Sequence, residues 1–419
     1  MNRALLKKLV LLWLGWAVIL LAFQHWAVMR LNIEGPDKVL DWTAGETYPG
    51  AQLKKYYLSD LFMNAQVAWD SEYYLSIAVG GYDDPKVQAV AGDYGWQNQH
   101  FCTPGNDEDC YSLNYAYFPL YPLSTRALSA ILNALALGLS PVAAATLAGV
   151  LVSLLGTLGA MIGLCCLSLP LLGEVGSLRA VFFMLVFPSG FFLGQVYTEG
   201  LFLGLTFGAL ACMQERKWGW AALLAALATW TRPGGAILLL PFAITWWRDH
   251  SWKMEWQQAL LRGLAALAPA LSYGVWALTP LAARFHFVEE HYFGRGFLAL
   301  GQSFERWQQA YQSLFTAADA QTVFYYSLEF GALLLGAAGC IFLLRKAPAL
   351  AWYGLAVLGF VFTSGSAQGM LRYVLALPGL FTLLAYWGRK PGFDRLWTLL
   401  SILLMGMEVL LFTFNFWVA

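Results

Sequence analysis

Apolar runs separated by short polar turns dominate this chain. The first run occupies residues 9–28, and after residue 116 further runs follow at 117–137, 142–169, 178–193, 200–212, 218–230, 235–247, 260–281, 324–344, 352–363, 373–387 and 396–418. A helix needs about twenty residues to cross a hydrocarbon layer roughly 30 Å thick, and several of these runs are shorter. Two of them are broken by Phe187-Pro188-Ser189-Gly190 and Arg232-Pro233-Gly234-Gly235. Such breaks predict half-helices, whose irregular backbone must face protein or water rather than lipid. The pattern predicts an all-α polytopic membrane protein with about 10–11 transmembrane helices. Residues 1–419 read as one helical transmembrane domain with no internal repeat.

Two stretches depart from this pattern. Residues 32–115 hold thirteen of the chain's twenty-five carboxylates and only four lysines, and residues 282–322 mix Arg284, His286, Glu289, Glu290, His291 and Arg295 with aromatics. Arg3, Lys7 and Lys8 precede the first apolar run. The positive-inside rule therefore places the N-terminus in the cytoplasm and the acidic stretch outside, as a large first external loop; residues 282–322 form a second. The first run lacks a small-residue cleavage site and reads as a retained anchor. Basic turns at Glu215-Arg216-Lys217, Arg248 with Lys253, Arg345-Lys346 and Arg389-Lys390 read as cytoplasmic. Counting sides alternately from both ends gives a clash of parity between Pro122 and Ala180.

Composition agrees with a lipid solvent: 59% of residues are hydrophobic and 12% charged. The formal net charge is zero, and no basic patch is present to track a phosphodiester backbone, which argues against a nucleic-acid partner. Four of the six cysteines, Cys165, Cys166, Cys212 and Cys340, lie in apolar runs as small buried hydrophobes. Cys102 and Cys110 bracket a Pro-Gly turn in the external loop, where an oxidising compartment permits a disulfide. No zinc or other metal pattern appears, and no Gly-rich phosphate loop, nucleophile elbow or His-Glu-x-x-His motif. No cofactor is indicated.

Three constellations could carry chemistry. Asp70 stands in Trp69-Asp70-Ser71-Glu72-Tyr73-Tyr74, an acid flanked by aromatics that favour the membrane interface. It opens a stretch that looks like a short amphipathic helix, so it reads either as a helix cap or as a catalytic acid or base. Gln195, Tyr197 and Glu199 lie between two apolar stretches, where an ionisable group must face a cavity or a partner. Arg232, before Pro-Gly-Gly, and Arg372, four residues after Gln368, interrupt apolar surroundings. Their guanidinium forks suit phosphate oxygens, although snorkelling or pairing with a carboxylate such as Glu199 is the competing reading.

Taken in order, Trp69-Asp70-Ser71-Glu72-Tyr73-Tyr74 with Gly81-Tyr82, then Ala116-Tyr117-Phe118-Pro119-Leu120-Tyr121-Pro122-Leu123, then Phe187-Pro188-Ser189 to Tyr197-Thr198-Glu199-Gly200, resemble the PIG-V family of GPI mannosyltransferase II-like enzymes. Arg232 matches the arginine of that family's Arg-Ser-Asn-Gly-like stretch, but Pro-Gly follows it here. The resemblance implies a GT-C-type glycosyltransferase fold with the active site on the non-cytoplasmic face of a bacterial plasma membrane or the endoplasmic reticulum. It implies a hexose donor, most simply mannose, carried on a polyprenyl phosphate, and an acceptor that is a glycan, glycolipid or protein. Asp70 takes the position of the general base. Arg232 and Arg372 are expected at the donor phosphate, with Trp69, Glu72, Tyr73, Tyr117, Gln195, Tyr197, Glu199 and Gln368 around the substrate. A transporter or flippase of lipid-linked or small solutes is the alternative, since broken helices and buried arginines suit it equally.

Overall fold

The computed structural model describes residues 2–31, 61–85, 87, 89–91, 101–102, 109–249, 255–317 and 319–418. Much of the acidic stretch 32–115, expected as the first external loop, therefore lies outside the described residues. The chain is helical throughout, apart from a three-stranded antiparallel patch of two-residue strands, Ala89–Val90, Phe101–Cys102 and Tyr111–Ser112, with Ala89–Val90 in the middle. Cys102 and Cys110 are joined in a disulfide beside it, as their placement in the loop predicts.

Helix α1 is Arg3–Arg30, and α2 (Leu61–Ala65) and α3 (Asp70–Val79) follow it. The next helices are α4 (Leu120–Ala134) and α5 (Pro141–Leu185). Ser140 accepts from the Ala143 amide at 3.2 Å to start α5, with Pro141 preset for the first turn. The apolar run at 142–169 and the first part of the run at 178–193 belong to this one helical stretch, which bends at Gly173 (φ 68°) just after Pro170 and ends at Leu185. A left-handed φ there suits glycine.

That bend removes the clash of parity. Lys8 of α1 pairs with Glu174 at 2.6 Å, so the bend lies at the same end of the bundle as the basic N-terminus. Tyr121, near the start of α4, donates to the Gly149 carbonyl at 3.0 Å, so α4 folds back on the first part of α5. From Ser153 to Gly173, twenty residues at about 1.5 Å each span about 30 Å, one hydrocarbon thickness. Helix α4 adds no crossing, because it packs back along the part of α5 that precedes Ser153.

Helices α6 (Glu199–Gln214) and α7 (Trp218–Thr231) form a hairpin against α5. Gly200 and Gly204, one turn apart on α6, face Gly156 and Gly159 of α5, and Gly163 of α5 meets the α6 backbone at Phe207 and Gly208. A Cβ on Gly156 would meet the Gly200 backbone at 2.5 Å, so only glycine permits this approach. Beyond come α8 (Leu239–Asp249), α9 (Trp256–Ala277), α10 (Pro280–His291), α11 (Leu300–Thr316), α12 (Ala320–Leu343) and α13 (Pro348–Phe362). The chain closes with the one-turn α14 (Met370–Tyr373), then α15 (Pro378–Trp387) and α16 (Pro391–Thr413).

Among the described residues five helices, α1, α5, α9, α12 and α16, are long and apolar enough to cross a membrane, and the bent segment Met370–Ala376 plus Pro378–Trp387 makes a sixth. This is fewer full-length crossings than the 10–11 transmembrane helices expected from hydropathy. Helices α6 and α13 are apolar but shorter, and α5 holds one run and the start of the next. The expectation of half-helices holds where it was placed, at the breaks after residues 187 and 232. Leu11, Ile19, Leu334 and Leu403 lie exposed on the long helices, the faces that meet lipid.

The basic turns converge as well. Arg216 pairs with Asp249 at 2.5 Å, and the cleft beside them is also lined by Arg248 and Lys346. From this turn, the sixteen residues of α6 carry the chain about 24 Å to Glu199. Glu199 and Arg232, at the far ends of α6 and α7, are thus held most of a membrane thickness from the basic turns.

Candidate active site

The fold brings four charged side chains from distant parts of the chain into one cluster. Asp70 is the first residue of α3, and the far end of that helix is fixed by Arg126 of α4. Arg126 Nε donates to the Ala78 carbonyl at 2.7 Å and Nη2 to the Ile77 carbonyl at 2.8 Å, tying down carbonyls of the last turn. Trp69 precedes Asp70 with φ 54°, a left-handed conformation costly for a tryptophan. Its indole donates to the Phe416 carbonyl at 3.0 Å and its ring meets Trp417 edge-on at 5.2 Å, contacts that hold it there. Asp70 is not spent as a cap. One carboxylate oxygen accepts from Tyr117 at 3.2 Å and the other from Arg372 Nη1 at 2.8 Å.

Arg372 is presented by α14. Gly369 turns the chain at φ 78°, and the buried Glu329 carboxylate of α12 accepts from the amides of Gly369 at 3.2 Å and Met370 at 2.5 Å. A carboxylate at the positive end of a helix is favourable, and here it orients a helix too short to stand alone. Arg372 Nε also lies 3.3 Å from Glu199 Oε1. Its guanidinium sits over the rings of Tyr197 and Phe192, at 5.3 and 5.6 Å.

Arg232 completes the cluster. Pro233 ends α7 and forces the residue before it into extended backbone, φ −155°. Gly235 then lets the chain pass against Thr229 where a side chain would collide. So placed, Arg232 donates through Nε to Thr198 Oγ1 at 2.6 Å and through Nη2 to Glu199. Glu199, at 0% exposure, therefore serves two arginines, and Asp70 shares one of them. The charges of the quartet sum to zero, which is how the fold keeps ions in an apolar bundle.

One face of this cluster opens into a cavity. Asp70, Tyr117, Arg232 and Arg372 line it, four of the residues read from the sequence. Seven others lie behind or beside its wall. Trp69 and Tyr197 are packed beneath, with the Tyr197 hydroxyl donating to the Ala68 carbonyl at 3.1 Å; Tyr73 stacks on Tyr117 at 4.7 Å, and Glu72 is buried. Gln195 exchanges hydrogen bonds with Gln24 of α1 at 3.0 and 3.2 Å, a structural amide pair. Glu199 supports the arginines from within, and Gln368 is half-buried outside the lining.

The stretch 282–322 supplies a wall to which the sequence assigned no role. His286 and Glu289 of α10 and Arg295 after it face the cavity, with Phe285, Phe293 and Phe297. Burial pushes the Glu289 carboxyl up to about 7, with Asp70 adding to the shift and Arg295 opposing it. The signal available was the density of charged and aromatic residues there, but only the fold shows which of them turn inward.

Comparison with known proteins meets the family resemblance read from these motifs. A family model described as Mannosyltransferase (PIG-V) matches residues 83–242, the segment that carries Tyr117, Glu199 and Arg232; Asp70 and Arg372 lie outside it. GPI alpha-1,6-mannosyltransferase 2 of Mus musculus is 32% identical over 166 residues, 39% of this chain and 34% of that protein. Its counterpart from Rattus norvegicus is 33% identical over 169 residues, 38% of this chain and 33% of that protein. The matched stretch thus spans about a third of the length of these curated relatives. Among solved structures, ArnT from Cupriavidus metallidurans bound to undecaprenyl phosphate aligns with 94% of this chain and 62% of its own, at 12% identity and a TM-score of 0.46. An Archaeoglobus fulgidus oligosaccharyltransferase aligns with 93% of this chain and 53% of its own, at 14% identity and a TM-score of 0.42.

Proposed function

We propose that this chain, similar over residues 83–242 to the PIG-V mannosyltransferases, is a GT-C-type membrane glycosyltransferase. It transfers a hexose, most simply mannose, from a polyprenyl-phosphate donor to an acceptor hydroxyl at the non-cytoplasmic face. The observation that carries this reading is the cavity wall itself, where a carboxylate, Asp70, stands beside an arginine cluster at the end of the bundle away from the basic turns. A carboxylate accepts a proton and arginines accept a phosphate, and sugar transfer from a phospholipid carrier requires both at one place.

In this reading the acceptor hydroxyl approaches Asp70 and attacks the anomeric carbon of the donor. The new bond forms between acceptor oxygen and sugar carbon as the bond from that carbon to the phosphate oxygen breaks. The hydroxyl proton passes to Asp70, and the phosphate leaves with the bonding electron pair. Tyr117 and Arg372 hold the Asp70 carboxylate in place, and the hydroxyl must come within hydrogen-bond reach of it. Arg232 and Arg372 set a positive field on the side of the leaving phosphate, with Glu199 behind them fixing their geometry. Incubating the purified protein with radiolabelled polyprenyl-phosphate mannose and a mixed glycan and glycolipid acceptor pool tests the reading. Label should move from the lipid to an acceptor; donor that stays intact across acceptor classes and across hexoses would sink it.

A further inference from the structure

Three arginines line the cavity, and two are already committed. Arg232 is bound to Glu199 and Thr198, and Arg372 to Asp70 and Glu199. Arg295 differs, because among the described residues it forms no ion pair within 4.0 Å. Its backbone is nonetheless fixed on every side. The Arg295 amide donates to the Glu289 carbonyl at 2.8 Å, the Gly296 amide to the Ser364 carbonyl at 3.0 Å, and Gln302 Nε2 to the Gly294 carbonyl at 2.7 Å. Glu289 and Asp70 act on its half-buried guanidinium only from a distance, so its fork of donors is left available to an anion entering the cavity.

The surroundings of Arg295 narrow the chemistry of that anion. Phe293 and Phe297 flank it in sequence, and Val357 and Phe360 of α13 line the same cavity. Phe297 is 77% exposed and its ring lies 6.5 Å from that of Phe360, so this apolar wall continues to the protein surface. An inorganic phosphate or a nucleotide would waste such a wall. An anionic head on an apolar tail uses both features, the head at Arg295 and the tail along the phenylalanines toward lipid.

We propose that Arg295 is the direct ligand of the donor's phosphate, the residue that grips an isoprenyl phosphate while Arg232 and Arg372 remain bound to their carboxylates. Its catalytic consequence rests on the transferase reading above, but the binding event can be tested without any transfer. The full chain in detergent is titrated with farnesyl phosphate by calorimetry, with farnesol and inorganic phosphate as controls. Wild type should bind farnesyl phosphate and neither control. Arg295→Gln should bind about tenfold or more weakly, the scale of one lost charge-assisted hydrogen bond. Arg295→Lys, which keeps the charge and loses the fork, should fall between and serves if the glutamine variant does not fold. Both variants binding farnesyl phosphate as wild type does would overturn the proposal, and so would a wild type that binds all three compounds alike. Loss of binding in Arg295→Gln from a wild type that transfers no sugar from any lipid-linked hexose would support this site and remove the transferase reading. Wild-type sugar transfer with an unchanged donor KM in Arg295→Gln would do the reverse.

Discussion

Arg372 Nη1 donates to Asp70 Oδ2 at 2.8 Å across 302 positions of sequence, joining the start of α3 to the one-turn helix α14. The contact gives Asp70 a fixed orientation in the cavity while Tyr117 holds its other oxygen. Asp70→Asn keeps the size and most of the hydrogen bonding but removes the base. Sugar transfer should fall by at least about a hundredfold with donor affinity little changed, as expected for loss of general-base catalysis. Glu72, buried and off the cavity lining, should tolerate Gln with a smaller loss. Steady-state rates at saturating donor compare the two.

Glu199 neutralises two arginines from a fully buried position. Glu199→Gln leaves both with less compensation and should destabilise the fold by roughly 3 kcal/mol, the usual scale for breaking a buried ion pair from one side. A lowered melting temperature in detergent reads this. Unchanged stability would mean that the cluster relaxes around a neutral side chain.

Arg232 uses its fork on Thr198 and Glu199. Lysine has one compact ammonium and cannot reach both with that geometry. Arg232→Lys should therefore lower stability and raise donor KM less than Arg295→Gln does. A larger donor effect at Arg232 would make it, and not Arg295, the direct phosphate ligand.

Glu289 gives the site a pH dependence. Its carboxyl titrates at about 7 instead of the ordinary 4.5, because burial disfavours the charged form. Below pH 7 it is neutral and the cavity gains positive charge; above pH 7 it is ionised and competes with an anion for Arg295. A phosphodiester donor keeps its charge through this range, so donor KM should rise as pH passes upward through 7. Glu289→Gln should hold the low KM throughout. His286 also faces the cavity, and changing it to Gln in both arms isolates the Glu289 proton. The same raised value means that Glu289 costs stability as pH rises from the ordinary carboxylate range through 7.

The disulfide between Cys102 and Cys110 closes a short loop in the acidic stretch 32–115. Peptide mass spectrometry without reductant should recover the two cysteines linked. By loop-closure entropy the bond contributes about 2–3 kcal/mol, so its reduction should lower the melting temperature.

Much of the fold was legible because lipid makes hydropathy a direct record of helices. The runs at 200–212 and 218–230 reappear as α6 and α7 nearly residue for residue, and Pro188-Ser189-Gly190 and Pro233-Gly234 mark the breaks near Glu199 and Arg232. The kinked α5 was not legible, since a bend at Gly173 and a true turn have the same hydropathy. Asp70 and the arginines stood out as polar groups in apolar or aromatic settings. Their pairing did not, because nothing local links residue 70 to residue 372. Gln195 and Tyr197 carried the same local signal as Glu199, yet they face the packing with Gln24 and Ala68. Arg295 was hidden for the opposite reason, being one charge among several in an ordinary-looking loop.

The most direct test of the account is a paired transfer measurement on purified wild type and Asp70→Asn with radiolabelled polyprenyl-phosphate mannose, each shown to bind farnesyl phosphate equally. The account predicts labelled product from wild type and a loss of at least about a hundredfold in the variant. Equal transfer by both proteins would contradict it, because Asp70 would then hold Arg372 in place and take no proton.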